Sequence, residues 1–233
     1  MLNENDYTVL PEDYTQFDCT SKIIVVGNSG VGKSCLSLRA AEDIFKETHQ
    51  LTLGTEIYNF KVKINDKPIN LQIWDTCGQE TYRSLIHGFY RNSSLAILVY
   101  SIDNLKSFED LGIWLNDIKT NSSPDIKIFL IGNKNDLNAE REVPTEKAKQ
   151  FKEENDIVLF MESSAKTGYN VQKIFAEAAN LILEEHIKLI KLQELSLSYG
   201  KETDNSTNGK NENNDNSSVS LSTRRKQSKC CAK

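Results

Sequence analysis

The chain has no apolar run approaching the length of a membrane-spanning helix, and no signal-peptide-like segment precedes its first strand-like run. The expectation is a soluble chain that is cytosolic at least when made. Its 5 cysteines show no metal-ligand spacing and no secreted-type disulfide framework: Cys19, Cys35 and Cys77 stand alone, and only Cys230 and Cys231 are adjacent. Reduced thiols are the expected state. Positive charge is not in excess either. With 28 Lys and Arg against 33 Asp and Glu, the net charge of −5 argues against general nucleic-acid binding, which needs a basic surface to neutralise phosphates. A single bound nucleotide is compatible with that balance. What is present is a globular composition, 38% hydrophobic and 26% charged over 233 residues, enough for one ordinary domain and a tail.

Short apolar or alternating runs read as strands: KIIVVG from Lys22, NFKVKIN from Asn59, NLQIW from Asn70, LAILVYS from Leu95, KIFLIGN from Lys127 and VLFMES from Val158. The second and third are separated by the turn formers Asn65, Asp66 and Pro68, which predicts a hairpin. The other runs alternate with helices expected to begin near Gly32, Glu80, Asn104, Pro144 and Asn170. This order implies an α/β fold, a six-stranded, mostly parallel sheet with helices on both faces. In the last helix Val171, Ile174, Phe175, Ala178, Leu181 and Ile182 recur at helical spacing, with Asn170 available as its cap. Residues 201–218 carry almost nothing apolar and cannot offset their ordering entropy. The expected organisation is an N-terminal extension at 1–20, one domain at 21–200 and a disordered C-terminal tail at 201–233.

GNSGVGKS, residues 27–34, fits G-x-x-x-x-G-K-S and lies between a strand and a helix, where that motif belongs. Its glycines let successive backbone N–H groups, from Ser29, Gly30, Val31 and Gly32 through Cys35, turn onto phosphate oxygens at a helix N-terminus. Lys33 brings a point charge to the outer phosphates and acts as an electrostatic catalyst. Ser34 offers a hydroxyl to Mg²⁺. NKND, residues 133–136, follows a buried strand and so emerges where open α/β sheets bind ligands. Asp136 can accept two hydrogen bonds from guanine, whereas adenine would leave its carboxylate unpaired; such sites reject the wrong base by roughly 10⁴-fold. Asn133 and Lys134 would tie this loop to the phosphate loop and pack along the base. In SSAK, Ser164, Ala165 and Lys166 would close on the guanine ring and carbonyl.

In this order and spacing GNSGVGKSCL, LTLGTE, WDTCGQE, NKND and SSAK resemble the small GTPases of the Ras superfamily, and within it the Rab branch, over about residues 22–190. The resemblance implies the P-loop fold of a small G domain and GTP and GDP as substrate and product. It places Phe45 on the guanine edge, Thr52 on Mg²⁺ and the γ-phosphate, Asp75 on the metal through water, Gly78 N–H on the γ-phosphate, and Gln79 on the attacking water. Hydrolysis asks for an in-line water and charge neutralisation, so positioning by Gln79 and electrostatics from Lys33 and Mg²⁺ would carry the step. No arginine is an obvious internal finger, so hydrolysis is expected to be slow until an activating protein assists. Thr52 and Gly78 sit in segments that a γ-phosphate would order and its loss release, a switch design. There is no room for the second substrate pocket and lid of a metabolic P-loop kinase.

The branch rests on GNSGVGKSCL, on FYR at residues 89–91 and on the double-cysteine end. The interval between Asp136 and Ser164 is too short for the extra helix of the Rho branch, and Leu2 excludes the N-myristoylation of the Arf branch. Ile57, Trp74 and Phe89 would form the apolar patch that effectors read, the alternative being a partly buried cluster that no partner touches. Departures from the Rab pattern, Ile57 for phenylalanine, TYR after Glu80, Asn92 and Ser93 for Gly and Ala, and Ser101 for aspartate, bear on the effector's identity. Cys230 and Cys231 in CCAK resemble the Cys-Cys-x-x ending of some Rabs, which implies two prenyl groups, a lipid-shielding escort and an exchange factor. Arg224, Arg225, Lys226 and Lys229 would add attraction to an anionic leaflet. The reading is a membrane-associated switch in vesicle traffic, on the cytoplasmic face of an intracellular membrane and cycling with cytosol. A Ras-like signalling GTPase outside trafficking and a nucleotide-binding scaffold with negligible hydrolysis are the alternatives.

Overall fold

The computed structural model describes residues 1–47, 54–78 and 88–202. The chain divides into two units, Met1–Ile190 and Lys191–Lys233; of the second, the described residues are helical. In the first, strands β1 (Tyr7–Val9), β2 (Cys19–Val26), β3 (Thr55–Ile64), β4 (Lys67–Thr76), β5 (Leu95–Ser101), β6 (Lys127–Asn133) and β7 (Leu159–Glu162) form one sheet in the order β1-β3-β4-β2-β5-β6-β7. Helices α1 (Lys33–Glu42), α2 (Leu105–Glu109), α3 (Leu111–Asn121), α4 (Thr145–Glu154) and α5 (Val171–Glu202) flank it, and a 3₁₀ segment spans Asn135–Glu140. Strands β4, β2, β5, β6 and β7 run parallel, while β1 and β3 are antiparallel to their neighbours.

Alternation distributes each central strand between two cores. Ile23 and Val25 of β2, with Leu95, Ile97 and Val99 of β5, face α1 and α5, where they meet Leu36, Ala40, Ile174 and Phe175. Ile24 and Val26, with Ala96, Leu98 and Tyr100, face Phe108, Trp114, Ile118 and Ala148 on the other side. A period of two with both faces covered makes every position of such strands apolar, which is why they read as continuous runs. In β3 only one face is covered, and Phe60, Val62 and Ile64 are buried while Asn59 and Lys63 are exposed. The hairpin turn places Asn65 (φ 49°) and Asp66 (φ 59°) in the left-handed region, the signature of a type I′ turn.

The sheet has seven strands rather than the six expected, because Tyr7–Val9 pairs antiparallel with β3 from Tyr7↔Ile64 to Val9↔Val62. Three residues are too short a run to read as a strand; the free edge of β3 supplies the pairing. Lys61 fastens the segment that follows, its ammonium donating to the carbonyls of Glu12 and Tyr14. Helix starts fall at or beside the expected residues for α1, α2, α4 and α5, while the start near Glu80 lies outside the described residues. Asn104 caps α2 by accepting from Ser107 N–H at 3.0 Å. Asn170 does not cap α5 with its side chain. Its backbone is left-handed (φ 58°), and its amide donates instead to the Glu162 carbonyl at 2.8 Å, fastening the helix start to the end of β7.

Candidate functional site

Because β2, β5, β6 and β7 are parallel, the loops after them gather at one end of the sheet, where strand order diverges to either side of β2. A cavity of about 390 Å³ opens there. Its walls hold Ser29, Gly30, Gly32, Lys33, Ser34 and Cys35 from the phosphate loop and α1, then Phe45, and Gly78 beyond β4. Asn133, Lys134, Asp136, Ala165 and Lys166 complete it from the loops after β6 and β7. Segments more than a hundred residues apart in sequence thus line one space.

The phosphate loop turns on glycines that nothing larger could replace. Gly32 has φ 93°, and a Cβ there would lie 2.4 Å from the Asn133 amide nitrogen; a Cβ on Gly78 would lie 2.3 Å from Lys33 Nζ and 2.6 Å from the Asn28 carbonyl oxygen. Lys33 is buried, and its ammonium donates to the Asn28 carbonyl at 2.8 Å. Burial pushes its pKa down to about 8, against the opposing pull of the Asp75 carboxylate. A buried ammonium with so little compensation is poised to accept an anion. Cys35 lies beside this point, and burial, then Asp75, push its thiol up.

Asn133 joins the two halves. Its amide donates to the Val31 carbonyl at 2.9 Å, and its side-chain oxygen accepts from Ser163 Oγ and Ala165 N–H, each at 3.3 Å. The Val31 side chain is core, so only its backbone serves the site. Ser164 does not reach the cavity wall; its hydroxyl donates to Asp136 at 2.5 Å and accepts from Thr167 N–H at 3.1 Å, orienting the carboxylate. Lys134, left-handed at φ 64°, pairs with Asp103 at 3.5 Å, so its stem lies along the wall. Asp136 lines the cavity beside Lys134, Leu137 and Lys166, and with Oδ1 bonded to Ser164 its second oxygen remains as an acceptor for a base with paired donors.

Ser34 lies at the start of α1 and lines the cavity, and Asp75 is fully buried near the end of β4; both are among the oxygen-bearing side chains that the sequence singled out for a cation. Among the described residues no group of three or more His, Cys, Asp or Glu could hold a metal. A hydroxyl and one carboxylate, both hard oxygens, fit Mg²⁺, which keeps waters and phosphate oxygens for its remaining positions. Thr52, Gln79, Cys230 and Cys231, and with them Arg224, Arg225, Lys226 and Lys229, lie outside the described residues. Ile57 and Trp74 are opposite one another on β3 and β4, the Trp74 and Phe89 rings meet at a 43° tilt with centroids 5.6 Å apart, and Lys22 Nζ lies 4.0 Å over the Trp74 ring. Ile57 is 51% exposed, whereas the two rings are half-buried against the core of that face.

Lys46, Glu47 and Leu137 line the cavity without having been expected there. Their adjacency to Phe45 and Asp136 was the available signal. A supporting pair carried no local signal at all. Arg141 grips Glu162 at the end of β7 through both guanidinium ends, at 2.7 and 2.8 Å, while its Nε donates to Asn138 at 2.9 Å. It clamps the 3₁₀ segment after NKND to the strand before SSAK.

A profile of the Ras family matches residues 22–184. Among curated proteins, the Ras-related protein Rab-2B of Dictyostelium discoideum is 44% identical over 171 residues, 73% of this chain and 84% of that protein. The human Ras-related protein Rab-4B is 41% identical over 169 residues, 72% of this chain and 79% of that protein. With that family match over residues 22–184 and these relatives over most of its length, the chain belongs to the Ras superfamily of small GTPases, in its Rab branch.

Proposed function

We propose that the chain is a membrane-associated GTP/GDP switch that recruits effectors in vesicle traffic, with the cavity between the phosphate loop and the NKND and SSAK loops as its nucleotide site. The observation that carries this reading is Asn133, whose one side chain ties the phosphate loop to both base-side loops, so that phosphate and base are grasped together. In this reading Asp136, oriented by Ser164, accepts from the guanine edge, and Phe45 covers the base. The loop N–H groups and Lys33 hold the outer phosphates, the ammonium keeping one N–H on the Asn28 carbonyl and donating its others to phosphate oxygen. Ser34 and Asp75, with Thr52, would hold Mg²⁺, which when bound neutralises charge on the phosphates. Gly78 N–H meets the γ-phosphate and Gln79 orients the water, so loss of that phosphate releases both segments.

The same reading extends to the surface and the tail. Ile57, the exposed member of the Trp74 and Phe89 cluster, is the apolar contact offered to effectors. Cys230 and Cys231 carry two prenyl groups, since a single chain gives only reversible anchoring. Residues 201–218, polar and nearly free of apolar side chains, act as a tether. An exchange factor and an activating protein turn the switch, and an escort shields the lipids between the cytosol and the cytoplasmic face of an intracellular membrane.

Competition for labelled GDP in the presence of Mg²⁺ tests the core of this reading: GTP competes and ATP does not, and Asp136→Asn abolishes the preference for guanine. Single-turnover hydrolysis then separates a switch from a scaffold. Gln79→Leu retains GTP binding and loses turnover, and Ser34→Asn favours the GDP form. Equal competition by ATP, or equal hydrolysis by wild type and Gln79→Leu with and without an activating protein, overturns it.

A further inference from the structure

The phosphate loop is held from behind by a polar chain that the nucleotide does not touch. The Asn28 side chain reaches away from the cavity into the seam between α2 and α3. Its Oδ1 accepts from Trp114 Nε1 at 2.6 Å, and its Nδ2 donates to Asp110 Oδ2 at 2.8 Å. Asp110 Oδ1 in turn accepts from Lys106 Nζ at 2.7 Å. Trp114 and Asp110 are both buried, so these bonds are formed out of reach of most water. The chemistry leaves a single orientation: an indole only donates and a carboxylate only accepts, so the residue between them must present an acceptor to one and a donor to the other. An amide of asparagine length does both. An aspartate could still accept from the indole but would set two carboxylates against each other; an alanine would remove both bonds to Asn28.

The backbone of the same residue faces the opposite way. The Asn28 carbonyl holds Lys33 Nζ at 2.8 Å and is the atom against which Gly78 packs so closely that a Cβ there would lie 2.6 Å away. Lys33 and Gly78 are the groups assigned above to the outer phosphates, so one peptide unit spaces the cation and the γ-phosphate contact, and its tilt is fixed by its own side chain. We infer that Asn28 is a positioning residue for the γ-phosphate end of the site, held by Trp114 and Asp110, and that it sets the affinity for GTP relative to GDP. The inference rests on the nucleotide reading above and deepens it. A displaced Asn28 peptide moves what a triphosphate touches and leaves the base contacts at Asp136, across the cavity, as they were. It also gives α2 and α3 a mechanical connection to the phosphate loop, since Lys106, the outer end of the chain, is 72% exposed.

The test is a pair of substitutions that break and then rebuild the chain with reversed polarity. In Asn28→Asp the two carboxylates repel, and the affinity for GTP relative to GDP falls by about tenfold, the effect of one lost hydrogen bond to a charged group. In Asn28→Asp with Asp110→Asn, the aspartate accepts from Trp114 and from the new amide, and the ratio returns to within about threefold of wild type. Trp114→Phe, which keeps the ring and deletes the donor, lowers the ratio as well. The readout is the ratio of GTP to GDP affinity from labelled-nucleotide competition on the full chain, with single-turnover hydrolysis alongside. Loss of general stability would weaken both nucleotides together and would not be repaired by the second substitution. If Asn28→Asp fails to fold while the double variant folds and binds, the pairing is supported equally. An unchanged ratio in Asn28→Asp with GDP still bound overturns the inference alone, as does a double variant that remains impaired. A wild-type chain binding no guanine nucleotide would overturn the functional reading and this inference with it.

Discussion

Replacing Arg141 by methionine should destabilise the domain by about 2–3 kcal/mol. An exposed ion pair is worth roughly 0–1 kcal/mol, while removing one partner of a fully buried pair costs about 3–5. The pair of Arg141 and Glu162 lies nearer the second case: the side chains are only 19% and 16% exposed, and the contact is bidentate. Glu162 also accepts from Thr145 at 2.9 Å, so it keeps one donor when the guanidinium is gone, which brings the loss below the buried extreme. For a domain of this size the melting temperature should fall by about 5–10 °C. Urea unfolding of wild type, Arg141→Met, Glu162→Gln and the double variant should give a coupling energy of about 2 kcal/mol. GDP release, measured alongside because bound nucleotide adds to stability, should accelerate in Arg141→Met as the segment after NKND loosens. The dependence on pH supplies a second check. Burial alone would raise the Glu162 carboxyl, but the hydrogen bonds from Arg141 and Thr145 outweigh it and hold the group below its ordinary value of 4.5. A depressed carboxylate contributes stability that is present above the unfolded value and lost as pH falls through the folded one. The gap between wild type and Arg141→Met should therefore be constant from pH 7 to about 5 and close below about 4.5. A coupling energy under about 0.5 kcal/mol, or a gap that persists unchanged to pH 3, would refute the clamp.

Gly27→Ala should lower the melting temperature by about 5 °C or more, because its Cβ would sit 2.1 Å from the Val99 carbonyl oxygen in the central strand β5; a melt within a degree of wild type would contradict this. Gly32→Ala should weaken binding of fluorescent GDP by about tenfold or more by breaking the bond between Asn133 and Val31, and an unaltered affinity would show that bond to be dispensable. Cys230→Ser with Cys231→Ser should move the protein from membranes to the soluble fraction, with the wild-type C-terminal peptide carrying two prenyl masses; unmodified cysteines, or a variant that still sediments, would refute the anchor.

Most of the sheet was legible because burial on both faces writes itself into sequence as an unbroken apolar run. LAILVYS, buried at every position, admits no other placement in a fold of this length. β1 was illegible for the converse reason: of Tyr7, Thr8 and Val9 none is fully buried, and what makes them a strand is the bonding capacity of β3. Asn170 shows a different limit. An asparagine before an apolar helix reads as a cap, yet the left-handed backbone turns its amide toward the Glu162 carbonyl; local sequence offered both partners, and only the arrival of β7 decided between them.

In the site, most residues that the sequence singled out line the cavity, Asn133 ties the loops as expected and Ser164 orients Asp136 from outside the wall, whereas the supports at Asn28 and Arg141 had no pattern to announce them. A glycine, a lysine or an aspartate facing a phosphate or a base has its identity dictated by that ligand's chemistry, so its spacing forms a pattern. Asn28 fills a position the phosphate-loop pattern leaves open, because the motif is defined by what the backbone must do and Asn28 acts on the backbone from the other side. Arg141 and Glu162 meet across 21 residues, and neither spacing nor neighbours announce the contact. Both examples place their polar partners at the junction of a loop that lines the cavity and a packed element behind it. A loop shaped by glycine alone would be free to take many forms, and the entropy of choosing one would fall on ligand binding. Side chains that anchor it to α3 and β7 remove that cost before the nucleotide arrives, so specificity for the phosphate and for the base depends on residues that never reach either.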